Sequence, residues 1–131
     1  MNGTNAAVVR GNHVHDIGRL DEDDGDLEGI AIGGGNGLAR PWDAVIENNL
    51  VEYIGRDWYG GKNGTDSVGV MSSVGIGMNA VRQIVVSNNT VRWCWRSGIT
   101  IVAASAVTED IKVYGNVIHD IGKMTSLNWI N

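Results

Sequence analysis

The chain has 131 residues and a net charge of −5 with a pI near 5.0, and it contains 19 Gly, one Pro, one Cys and no Phe. That length allows one domain, residues 1–131, and the Gly count with many Val and Ile describes strands and tight corners rather than helices. The acidic balance argues against nucleic acid or an anionic membrane as partner, one Cys excludes an internal disulfide, and no apolar run approaches membrane-spanning length.

In chain order, residues 1–6 form a polar lead-in: Met1 is followed by Asn, Gly, Thr and Asn, without the basic start and apolar stretch of a signal peptide. Residues 7–17 give two short strands. Arg19 to Glu28 is an acidic insertion, and Gly29-Ile30-Ala31-Ile32 a third strand. The Gly33–Gly37 run is a loop that Pro41 closes. Residues 44–54 repeat the first two strands, and Arg56 to Asp66 is a second insertion at the equivalent place. The third strand of this repeat is read as Val68-Gly69-Val70-Met71, with Val74 to Met78 as the alternative. Residues 84–94 and 111–121 repeat the pattern again, with Gly98-Ile99-Thr100-Ile101 between them and a turn at 102–110. Lys123 to Asn131 is a tail whose Leu127, Trp129 and Ile130 suit a cap over the last repeat.

Four copies align on Asn12, Asn49, Asn89 and Asn116, spaced 37, 40 and 27 residues apart. Five residues before the Asn stand Ala7, Ala44, Ile84 and Ile111; three before, Val9, Ile46, Val86 and Val113. Two after stand Val14, Val51, Val91 and Ile118; five after, Ile17, Ile54, Cys94 and Ile121. On this reading both strands of each copy alternate, with one face buried. The columns His15, Glu52, Arg92, His119 and Arg10, Glu47, Ser87, Tyr114 face water. The Asn column supplies the left-handed corner and, stacked at about 4.8 Å, a side-chain amide ladder. A spacing of 27 suits one coil with small turns; 37 and 40 need loop insertions.

This pattern of Asn corners followed by Gly-Ile-x-Ile strands resembles the right-handed parallel β-helix of the pectin-lyase-like superfamily. The resemblance implies an all-β fold, a right-handed single-stranded parallel β-helix of about four coils with two outer-turn insertions. It also implies that a groove follows the third strand of each coil. The outward positions expected there, Gly29, Ala31, Gly69, Met71 and Thr100, include no acid, base or nucleophile.

Three groups of residues are candidates for chemistry. Asp21, Asp23, Asp24, Asp26 and Glu28 could offer the carboxylate oxygens that Ca²⁺ requires, though with Gly25 at loop position six an EF-hand would begin on Leu20. A solvated charged loop is the plainer reading. The two His-Asp-Ile-Gly tetrads, His15–Gly18 and His119–Gly122, share one repeat register that Glu52-Tyr53-Ile54-Gly55 also fills, which marks them as structural; His15 is expected beside Glu52. Trp58, Tyr59, Trp93 and Trp95, with Lys62, fall in or beside the turn after the Asn corner. Exposed on stacked turns, they would make a wall on which sugar C–H faces stack.

The leading expectation is a β-helix module that binds a polysaccharide or related carbohydrate through this wall. One alternative is a carbohydrate-active enzyme, a lyase, epimerase or glycosidase, with Asp57 or the 21–28 acids as acid/base and Arg56 or Arg96 stabilising charge. The other is a structural module whose open ends mate with copies of itself, as a dimer or higher closed homo-oligomer.

Overall fold

A computed structural model describes residues 6–17, 27–33, 43–55, 73–79, 81–94, 96–102 and 108–122. Among them are eleven strands and no helix: β1 (Val8–Arg10), β2 (His13–Ile17), β3 (Leu27–Gly33), β4 (Val45–Glu47), β5 (Leu50–Ile54), β6 (Ser73–Asn79), β7 (Arg82–Ser87), β8 (Thr90–Cys94), β9 (Ser97–Val102), β10 (Glu109–Tyr114) and β11 (Val117–His119). They form three sheets, ordered β1-β4-β7-β10, β2-β5-β8-β11 and β3-β6-β9, and every pairing is parallel. The chain therefore visits the three sheets in rotation, round after round. This is an all-β fold of stacked parallel sheets, compatible with a parallel β-helix.

The register follows the Asn columns. Val9 pairs with Ile46, Ile46 with Val86 and Val86 with Val113; Val14, Val51, Val91 and Ile118 run likewise through the second sheet. In the two middle rounds the column members Ala44, Ile46, Val51, Ile54, Ile84, Val86, Val91 and Cys94 are fully buried. The third strand of the second round is β6, so the alternative at 74–78 is correct. Ile76 there pairs with Ile30 and Ile99, the apolar match that the register selects. Residues 68–71 lie outside the described residues.

The amide ladder is present. The Nδ2 of Asn12, Asn49 and Asn89 each donates to the Oδ1 of the next Asn at 3.0, 2.9 and 2.9 Å, and their main-chain N–H groups donate to the same oxygens. The Nδ2 of Asn49, Asn89 and Asn116 also donates to the carbonyls of Val9, Ile46 and Val86 in the preceding round. Because Oδ1 faces an N–H and Nδ2 faces a carbonyl, the amide orientation is fixed by its partners.

Three expectations need correction. The left-handed residue is not the ladder Asn but the one before it: Gly11, Asn48, Asn88 and Gly115 have φ of 67°, 55°, 54° and 63°. The ladder Asn is then free to turn its amide inward. The second strand of each copy does not simply alternate either. Asp16, Tyr53, Trp93 and Asp120, four residues after the Asn, have φ of 55°, 56°, 52° and 55°. That kink explains why the apolar columns of this strand are three apart and not two. Third, Gly29 does not face out. A Cβ on it would stand 2.6 Å from Val51 Cγ1 and 2.7 Å from the Gly75 carbonyl, and one on Gly75 would meet Val91 and, at 2.7 Å, the Gly98 carbonyl. The glycine column is what lets the third sheet close onto the second.

Asn89→Ala would strand the buried Asn49 N–H and the Ile46 carbonyl, at about 1–3 kcal/mol each. Asn12→Ala removes only the Nδ2 bonds to Asn49 Oδ1 and to the exposed Arg10 carbonyl, strands no buried main-chain N–H, and should cost about 1 kcal/mol. Urea melts of the two variants are expected to separate accordingly; equal losses would show that the ladder does not support the core.

Candidate functional site

The kink at Asp16, Tyr53, Trp93 and Asp120 sets two consecutive side chains of each second strand beside one another on the outside of the second sheet. One row is His15, Glu52, Arg92 and His119, in direct register. The other is Asp16, Tyr53, Trp93 and Asp120. Left-handed φ is unfavourable for bulky side chains, so two aromatic residues at this point are notable. Tyr53 and Trp93 stack on one another, with ring centroids 6.3 Å apart and planes 12° from parallel. Both are half-buried.

Beside the aromatic pair lies a buried carboxylate. Glu52 is only 6% exposed. Arg92 Nε donates to its Oε2 at 2.6 Å, and His13 Nε2 lies 2.8 Å from its Oε1. An ionised carboxylate only accepts, so the proton of that second bond sits on His13. Burial pushes the Glu52 carboxyl upward as the largest single effect, but the hydrogen bonds and charges of His13 and Arg92 together outweigh it, and the net shift is downward. Held ionised between two donors, Glu52 is a clamp and not a proton donor near neutral pH. Its column was expected to face water; His13 and Arg92 cover it instead.

Histidine placement departs from expectation in the same way. His15 aligns with Glu52 in the sheet, yet its Nδ1 lies 2.8 Å from Asp16 Oδ2, and it is His13 that reaches Glu52. The His13 and His15 rings lie 4.4 Å apart. His119 repeats the pairing with Asp120 at 2.7 Å. Both His-Asp pairs are thus local surface contacts.

Of the aromatic wall, Trp93 is described; Trp58, Tyr59, Lys62 and Trp95 lie outside the described residues, as do Arg56 and Asp57. Arg96 is exposed. Of the acidic candidates only Glu28 is described. It belongs to β3 rather than to a loop, and its carboxylate lies over Gly77, where a Cβ would collide with it. Among the described residues no group of three His, Cys, Asp or Glu is arranged to hold a metal ion, and no helix is long and apolar enough to cross a membrane. Cys94 is buried, and burial pushes its thiol up to about 12, which rules out a reactive thiolate.

Tyr53, Glu52 and His13 were not singled out from sequence as site residues. The signal was there: Tyr53 and Trp93 are 40 residues apart, as are Asn49 and Asn89, so they had to be neighbours. No protein family, curated protein or solved structure matches the chain.

A depressed folded-state pKa means that Glu52 adds stability above its ordinary value of 4.5, and that this is lost as pH falls through the lower folded value. The stability difference between the parent and Glu52→Gln should therefore be full at pH 7 and shrink below pH 4.5. A difference constant across that range would show that Glu52 is not held ionised.

Proposed function

We propose that the rounds are the four coils of a right-handed single-stranded parallel β-helix of the pectin-lyase-like kind, and that its outer wall binds a polysaccharide or related carbohydrate. The supporting observation is the Tyr53–Trp93 stack on the outside of the second sheet. Two aromatics at left-handed positions sacrifice local backbone comfort, and neither belongs to the buried columns. Amphipathic rings offer apolar surface to sugar C–H groups, while charged neighbours take the hydroxyls. Arg92, part-exposed and held in place by Glu52, supplies such a neighbour beside Trp93. In this reading Trp58, Tyr59, Trp95 and Lys62 extend the same wall from the adjoining turns.

A catalytic reading has less support. The described outward positions Ala31, Gly77 and Thr100 along the third sheet offer no acid or base of their own, and Glu28, whose carboxylate lies over Gly77, is a single acid where a glycosidase needs a pair. Fold alone does not supply an activity.

Affinity electrophoresis through gels cast with a panel of neutral and acidic polysaccharides tests the proposal. At least one should retard the parent protein. Trp93→Ala should weaken that retention about tenfold, which corresponds to about 1.4 kcal/mol, with a much smaller change in Tm than a core substitution causes. If no polysaccharide slows the parent, or if Trp93→Ala unfolds it, the proposal fails.

A further inference from the structure

The first and last rounds of the described stack are unlike, and they are complementary. At the first round, Asn12 Oδ1 has no donor among the described residues, although the Oδ1 of Asn49, Asn89 and Asn116 each accepts two. At the last round the main-chain N–H of Asn116 has no acceptor among the described residues, although those of Asn12, Asn49 and Asn89 all donate to the next Oδ1. The main chain has the same polarity. Leu50, Thr90 and Val117 each donate an N–H to the carbonyl of the Asn one round earlier, which leaves His13 as the next donor in the series and the Asn116 carbonyl as the next acceptor.

The apolar columns are interrupted at the same place. Val86 and Val91 are fully buried, whereas Val113 and Ile118, the next residues in their columns, are 43% and 45% exposed. The first round offers the matching half: Val9 and Val14 stand in those columns, only partly buried. Its backbone also has the right shape, because Gly11 and Asp16 carry the same left-handed φ as Gly115 and Asp120.

We propose that the last round of one copy receives the first round of a second copy, head to tail, in the register that already relates one round to the next within the chain. Asn116 then donates to Asn12 Oδ1 of the second copy, His13 N–H donates to the Asn116 carbonyl, and Val113 and Ile118 are covered by Val9 and Val14. A two-fold symmetric contact cannot do this, since it would set the Asn116 donor against its own copy. Such a heterologous contact leaves one free end of each kind, so assembly is open and grows with concentration. This differs from the closed oligomer expected from sequence, because the ladder has a direction.

Sedimentation velocity of the full chain from low to high micromolar concentration is the first test: the average mass should rise without a plateau at the dimer. A monomer throughout, or a plateau at the dimer, would overturn the proposal. The second test uses Val14→Arg, which blocks the head, and Ile118→Arg, which blocks the tail. Each folded variant alone should be monomeric, and an equimolar mixture should give a one-to-one heterodimer. Self-association of Val14→Arg alone would reveal a tail-to-tail contact, and a mixture that stays monomeric would equally refute head-to-tail stacking. If circular dichroism shows that Val14→Arg does not fold, His13→Pro replaces it. Proline is tolerated at the first residue of an edge strand, and there it deletes the N–H in question.

Discussion

Everything in this molecule depends on the side-chain amides of four asparagines. A parallel stack must bend its chain out of one sheet and into the next in every round, and each bend leaves main-chain donors and acceptors that neither sheet can satisfy. Asn49 and Asn89 are buried at those bends, and each satisfies a main-chain N–H, a main-chain carbonyl and its own neighbours in the ladder. No apolar residue could do so, and a charged one could not stack on copies of itself at about 4.8 Å without repulsion. The ladder also fixes register: a slip of one residue would take every amide off its partner and turn the Val and Ile columns outward.

Around that ladder, local backbone choices decide which surfaces exist. The left-handed residue before each Asn makes the corner. The one four residues after it makes an outward-facing double row in each second strand, in place of simple alternation. This row holds Glu52 with its donor Arg92 and the Tyr53–Trp93 stack. Glycine has the opposite role at residues 29, 75 and 98, where the absence of a Cβ brings the third sheet against Val51, Val91 and Ile118. The apolar columns and the exposed wall are thus products of one repeating pattern of φ, carried through every round.

The sequence by itself determined the repeat, its four anchors, the four apolar columns and hence the all-β, parallel-sheet character, because a stack forces residues at equal offsets from the anchor to become neighbours. It also made Cys94 a core residue, since its column is otherwise Ile. What only the tertiary structure decided were the details that depend on three-dimensional crowding. Whether 68–71 or 74–78 formed the third strand was open to periodicity, and Ile76 settled it by aligning with Ile30 and Ile99. Which of two histidines reached Glu52 depended on side-chain direction across strands: His13, which lies opposite Leu50, reaches it, while the directly opposed His15 turns to Asp16. Whether Gly29 faced in or out depended on how closely the third sheet approaches Val51. Offsets along a chain report which backbones lie side by side; they do not report where a flexible side chain finds its partner, and that choice belongs to packing.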